Sequence, residues 1–83
     1  MSERAYVLID AVEGKASEIL TALYDSPGII AADYIEGPPD IVLVIEADDR
    51  LKLAIRVNNI LHSIESITED LRCFLANREN DRR

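Results

Sequence analysis

The residues equipped for chemistry are few in this sequence and far apart. His62 is the single histidine and Cys73 the single cysteine. The histidine falls in what reads as the last turn of a helix, where an imidazolium is favoured by the helix dipole, and that role outweighs catalysis. Cys73 has no adjacent histidine or lysine to lower its pKa, and its alternation with Ile67 and Leu75 reads as the inward side of a strand, so a small core residue is expected. Asp48 with Asp49, and Glu69 with Asp70, are neighbouring acids, but adjacent residues on a strand point to opposite faces and neither pair has a loop of further ligands. No metal is expected. The segment Glu36-Gly37-Pro38-Pro39-Asp40 stands out more. A glycine lets a ligand approach the backbone, a carboxylate fixed at a turn can pair with an ammonium group, and free amides near a turn can take a carboxylate. The competing reading is a stiff turn whose Asp40 bonds only local amides.

Composition narrows the classes. The chain has 83 residues, 48% of them hydrophobic, and a net charge of −7. That length supports one small core, and any apolar surface it cannot cover belongs to a partner. The last seven residues contribute +1, so residues 1–76 carry −8, the opposite of a nucleic-acid footprint. No phosphate loop, no GxGxxG and no basic patch interleaved with aromatics appears, so no cofactor is expected and direct nucleic-acid reading lacks a carrier. No apolar run is long enough to span a membrane, the start Met-Ser-Glu-Arg-Ala lacks the form of a signal peptide, and one cysteine suits a reducing cytosol. A cytoplasmic protein is the expectation.

Elements follow from periodicity. AYVLIDAV at 5–12 is apolar almost throughout and reads as a strand. Ala16, Ile19, Leu20, Leu23 and Tyr24 make one face of an amphipathic helix, which Ser26-Pro27-Gly28 ends. IIAADYIE at 29–36 is a second strand, the Gly-Pro-Pro-Asp run a restricted hairpin turn, and IVLVIEA at 41–47 a third strand, apolar on both sides. Asp48 or Asp49 caps a helix over about 50–62 with two adjoining apolar stripes, one through Leu51, Ala54, Ile55, Asn58 and Leu61 and one through Leu53, Val57, Ile60 and Ile64, which predicts a broad buried face. ITEDLRCFLA at 67–76 closes the chain as a half-exposed edge strand. The order is a duplicated split βαβ, which predicts a ferredoxin-like α+β fold: a four-stranded antiparallel sheet in the order 4-1-3-2 with both helices on one face. Residues 1–76 form this single domain and 77–83 a charged, mobile tail. Two helices cover only one face of a sheet whose central strands are apolar on both, so a homodimer packed through the open sheet face is expected.

Three stretches carry a family resemblance: Leu23-Tyr24-Asp25-Ser26-Pro27-Gly28-Ile29 at a helix end, Gly37-Pro38-Pro39-Asp40-Ile41-Val42-Leu43 at a turn entering an aliphatic strand, and 61–67 at the second helix end. Over 5–76 the chain resembles the ligand-binding (RAM) domain of the Lrp/AsnC family of transcription regulators. The resemblance implies a ferredoxin-like domain that dimerises through its sheets, assembles further, and binds small effectors, often amino acids, at junctions between dimers. It implies here a stand-alone form without the helix-turn-helix, free to join full-length regulators of the family. Gly37 and Asp40 match the family turn that lines the effector site. Pro38 and Pro39 replace its usual acidic or polar residue and aromatic, and Asp70 and Arg72 stand where threonines are frequent.

The expected function is therefore an oligomeric effector-sensing domain, not an enzyme, acting on transcription without touching DNA. Its ligand residues would be Gly37, Pro38, Pro39, Asp40, Asp70 and Arg72: Asp40 or Asp70 pairing with an ammonium group, and amides around Gly37 or the Arg72 guanidinium taking a carboxylate. Three competitors share the topology: a small dimeric α/β-barrel enzyme, an ACT-like amino-acid-binding module whose sheets associate side by side, and a scaffold that only oligomerises.

Overall fold

The computed structural model describes residues 2–76, and the expected tail at 77–83 lies outside the described residues. Strand β1 (Glu3–Ala11) leads into helix α1 (Ala16–Leu23), strands β2 (Ile29–Tyr34) and β3 (Ile41–Ala47), helix α2 (Arg50–Ile64), a 3-10 turn (Glu65–Ile67) and strand β4 (Thr68–Leu75). The sheet runs β2-β3-β1-β4 with every pairing antiparallel. This is the ferredoxin-like βαββαβ arrangement, with the two most apolar strands in the middle.

Alternation explains why. Ala5, Val7, Ile9 and Ala11 of β1 and Ile41, Leu43, Ile45 and Ala47 of β3 are buried on one face. There they form a single cluster with Ile19 and Leu23 of α1 and Leu53, Val57, Ile60 and Ile64 of α2. Both helices therefore lie on that face. The other face carries Tyr6, Leu8, Val42, Val44 and Phe74, in the pairings Tyr6 to Val44 and Phe74, and Leu8 to Val42 and Arg72. No described helix covers it.

The helix ends follow local chemistry. Asp49, not Asp48, caps α2: its Oδ1 accepts the Lys52 amide at 2.8 Å, satisfying an otherwise unpaired donor. After α1 the backbone must turn back under α2 at Gly28, where φ is +89° and an added Cβ would lie 2.8 Å from Arg56 Cδ and 2.9 Å from the Glu46 carbonyl oxygen. Glycine is required there twice over, by backbone sign and by space.

Two expectations need correction. Only the stripe through Leu53, Val57, Ile60 and Ile64 is buried on α2; Leu51 is 72% and Ile55 52% exposed. The buried face is narrow because the helix touches the sheet along one line of side chains, and the adjoining stripe turns outward except at Leu61, which packs partly buried against the core. Cys73 sits on the helix side, opposite Val7, as alternation requires, yet it is exposed. The helices stop short of the outer half of β4, so a side chain there faces inward without being covered.

Candidate functional site

The turn between β2 and β3 is tied down by Asp40 in three ways. Its amide donates to the Ile9 carbonyl at 2.8 Å, its carbonyl accepts the Ile35 amide at 2.7 Å, and its Oδ2 accepts the Ala11 amide at 2.9 Å. The last bond explains why an aspartate stands here. A register shift separates Asp10 from Ala11, with Asp10 paired to Asp70 and Ala11 to Thr68, and the Asp40 carboxylate satisfies the amide at that irregularity. The stiff-turn reading is thus realised by one carboxylate oxygen, while Oδ1 stays available. Gly37 has φ +76° and nothing within 4 Å of an added Cβ, so the single chain needs this glycine for backbone sign and not for close approach. The Pro38–Pro39 bond is cis.

Asp40 also borders a cleft of about 560 Å³ between this end of the sheet and the start of α1, with Glu13, Glu69, Tyr34, Leu20 and Ala16 among its walls. The charged side chains lining it are Glu13, Asp40 and Glu69. Its floor is apolar at Ala16 and Leu20, and Tyr34 presents a ring that is 64% exposed. A second cleft of about 420 Å³ lies between α2 and β4, with Asp70, Glu69, His62 and Glu65 on its rim. His62 Nδ1 lies 3.6 Å from Glu65 Oε1, and both side chains are exposed.

The sequence-predicted residues divide among these places. Asp40 lines the first cleft, but Gly37, Pro38 and Pro39 form the hairpin tip outside its walls. Asp70 pairs with Asp10 across β1 and β4, and Arg72 pairs with Leu8 on the open face. One chain does not gather all six into one cleft. Glu13, Glu69 and Tyr34 were not among the expected residues; their spacing carries no local pattern, and only the sheet order brings them beside Asp40.

Charge is distributed unevenly along the strands. At the end where β1 begins, the carboxylates have partners: Arg4 Nη2 meets Glu46 Oε2 at 2.8 Å and Arg50 Nε meets Glu3 Oε1 at 3.3 Å. The bond from Arg4 holds Glu46 below the usual carboxylate range, and the same bond raises Arg4. At the cleft end stand Asp10, Glu13, Asp40, Glu69 and Asp70. Among the described residues no ion pair engages any of them, and Asp10 Oδ1 is buried without a hydrogen-bond partner. Although Cys73 is exposed, partial desolvation by its neighbours pushes its thiol up, away from nucleophilic character at neutral pH. Among the described residues no group of histidine, cysteine and acid side chains is arranged to hold a metal ion, and no helix is long and apolar enough to cross a membrane.

No family model matches the sequence, and no curated protein matches it. Solved structures do. TTHA0845 from Thermus thermophilus superposes with a TM-score of 0.78 at 25% identity, over 92% of this chain and 94% of that one. PH0061 gives 0.81 at 18% identity over 92% of this chain, which spans 52% of PH0061. The transcriptional regulator NMB0573 from Neisseria meningitidis, solved as a complex with L-Met, gives 0.71 at 15% identity over 93% of this chain and 51% of the regulator. The chain thus spans about half the length of the two larger neighbours. Among the structural neighbours are Lrp/AsnC-type regulators, and the likeness to them is one of fold, consistent with the RAM-like domain that the turn motifs resemble.

Proposed function

We propose that the chain is an effector-sensing domain of the Lrp/AsnC type that binds a small amine-bearing metabolite, an amino acid foremost, in the cleft beside Asp40. The observation that carries this reading is the cluster of carboxylates without ion-pair partners around an apolar-floored cleft of about 560 Å³. An ammonium group supplies the missing positive charge, the floor accepts an aliphatic body, and Tyr34 can lie against either. Backbone amides at the start of α1, where Lys15 provides no side-chain cap, are the available donors for a carboxylate. The likeness to a regulator solved with L-Met supports the same class of ligand.

The domain works as an oligomer in this reading. A second copy packs its open sheet face on Tyr6, Leu8, Val42, Val44 and Phe74, and further association places the Asp40 turn and the Asp70 and Arg72 strand at junctions between copies. Gly37, Pro38 and Pro39 then contribute from a neighbouring copy. The protein acts in the cytoplasm on transcription through full-length regulators, because an acidic body has no attraction for DNA. Catalysis has no support in the site: His62 is exposed beside Glu65 and the Cys73 thiol is raised.

The test is a thermal-shift screen of the twenty amino acids, repeated on Glu69→Gln and Tyr34→Ala. At ligand concentrations of about 100 times Kd the stabilisation should reach roughly 2.7 kcal/mol, and both substitutions should reduce it. A screen with no hit, or a hit indifferent to both substitutions, removes the cleft from the account.

A further inference from the structure

On α2 the residues Arg56, Asn59, Ile60 and Ser63 fall at i, i+3, i+4 and i+7, so they share one face of the helix. That face lies beside Ser26 and Pro27, which follow α1, and together they bound a groove of about 100 Å³. The groove shares no residue with the Asp40 cleft. It also has the opposite sign. No acidic side chain lines it, and its one charged residue is Arg56.

Arg56 is held in place. Its Nη1 donates to the Glu46 carbonyl at 2.8 Å, and its arm passes so close to Gly28 that a Cβ there would meet Cδ at 2.8 Å and Nη1 at 2.9 Å. The glycine that the chain reversal after α1 requires thus also makes room for the guanidinium. The Glu46 carboxylate does not compensate this charge, because Arg4 takes it at 2.8 Å. Other basic side chains find acids: Arg4, Lys15, Arg50 and Lys52 each meet a carboxylate, the longest contact being 3.9 Å. Among the described residues no carboxylate pairs with Arg56 or Arg72, and of these two only Arg56 is half-buried. One N–H of its planar fork is used on Glu46, and the rest match an oxyanion. The Ser26 hydroxyl and the Asn59 side-chain amide make no hydrogen bond among the described residues, so both are donors at the groove wall. Ser63 Oγ already donates to the Ile60 carbonyl at 2.7 Å.

We propose that this groove binds a phosphate group, free or carried by a small metabolite. Guanidinium, hydroxyl and amide come from two separate elements, and a tetrahedral group offers an oxygen to each, whereas a carboxylate has fewer oxygens than there are donor groups. The volume of about 100 Å³ suits one such group and falls short of the roughly 300 Å³ at which pockets for whole drug-sized ligands begin. The net charge of −7 opposes anions at long range. That field is screened beyond about 10 Å at roughly 0.1 M salt, whereas a fixed cation acts at contact. The proposal does not rest on the effector reading, and its failure leaves that reading standing.

The test is a proton–nitrogen NMR titration of the full chain with inorganic phosphate, ionic strength being held constant with chloride. The Arg56 Nε–H, the Asn59 side-chain amide and the Ser26 and Gly28 backbone amides should shift along one saturable curve with a millimolar midpoint. Ala11 and Tyr34 at the Asp40 cleft should not move. Asn59→Asp sets a carboxylate at the groove wall, at an exposed position with no bond to lose, and should weaken binding at least about tenfold. Arg56→Lys keeps the charge but loses the fork, and should weaken binding by about tenfold; urea midpoints of both variants separate lost binding from lost fold. Lys15→Gln, at the start of α1, should leave the curve unchanged. Glycerol phosphate and acetate run as parallel arms. Tighter binding of glycerol phosphate identifies a metabolite-borne group, tighter binding of inorganic phosphate identifies the free ion, and acetate should bind more weakly than either. Shifts that do not saturate, acetate binding as tightly as phosphate, an Asn59→Asp protein that binds like the parent, or equal weakening by Lys15→Gln would each overturn the proposal.

Discussion

Replacing Asp40 by alanine removes the oxygen that accepts the Ala11 amide at 2.9 Å. Ala11 is 8% exposed, so the freed donor has poor access to water and the carboxylate's contribution is lost outright. Hydrogen bonds to charged groups contribute about 1.5–3 kcal/mol, and a part-buried one belongs near the middle of that range, about 2 kcal/mol. In a domain of this size about 1 kcal/mol moves the melting temperature by roughly 4–8 °C, so Asp40→Ala should lower it by about 8–16 °C. Asp40→Asn keeps an acceptor oxygen on the same stem and should cost about 1 kcal/mol or less. Urea titration followed by far-UV circular dichroism reads both, at one protein concentration because an oligomer's stability depends on it. The midpoint should fall with the slope unchanged. If Asp40→Ala lies within about 0.5 kcal/mol of the parent, the range of an ordinary surface substitution, the reasoning about Ala11 fails. The pair also separates fold from ligand. Asp40→Asn should keep the fold and lose amino-acid stabilisation, whereas a turn that serves the fold alone predicts no change in ligand response.

Three other outcomes follow from named contacts. Gly28→Ala meets both a positive φ and the Glu46 carbonyl at 2.9 Å, and should cost at least about 2 kcal/mol in the same urea assay; Gly14→Ala, with open space around its Cβ, should cost less. Leu43→Ala empties a fully buried site in the central strand and should destabilise by about 2–5 kcal/mol. Arg4 holds the Glu46 carboxyl below its ordinary value, so the stability this pair supplies is present above the ordinary carboxylate range and is lost as pH falls through the lowered folded-state value. NMR titration of Glu46 should show the lowered midpoint, and Arg4→Ala should return it toward the ordinary value; a Glu46 indifferent to Arg4 contradicts the pairing.

The fold was legible because its decisive signals are local. Period-two alternation with both sets apolar marked β1 and β3 as central, and Ser26-Pro27-Gly28 and Gly37-Pro38-Pro39-Asp40 marked the reversals. What sequence could not supply was cover. Residues 51 and 55 of α2 have the same 3-4 spacing as 53 and 57, and only the approach line of the helix decides which stripe is buried. Alternation put Cys73 on the correct face, but how far the helices reach over β4 is a tertiary fact. The Ala11 bond of Asp40 spans 29 positions, and Glu13, Tyr34 and Glu69 converge only through the order of strands. Of the residues lining the cleft, Asp40 alone was among the expected ligand residues.

The open face is less bare than apolar alternation suggests, and this changes where a partner would gain most. Leu8, Val42 and Val44 are half-buried in the single chain, because each is flanked by residues on both neighbouring strands. Tyr6 at 37% and Phe74 at 51% exposure are the large side chains left in water, and they are directly paired on β1 and β4. The row Ala31, Val44, Tyr6 and Phe74 is apolar across all four strands, while the next row, Asp33, Val42, Leu8 and Arg72, is apolar only in its middle. Beyond it lie Asp10 and Asp70. Burial energy for sheet-face packing therefore concentrates at Tyr6 and Phe74, with a charged boundary on the side of the acidic cleft. In the proposed sheet-face dimer, a two-fold axis through the Tyr6 row would bury that row against itself and would keep both acidic ends in water, open to the proposed ammonium-bearing ligand.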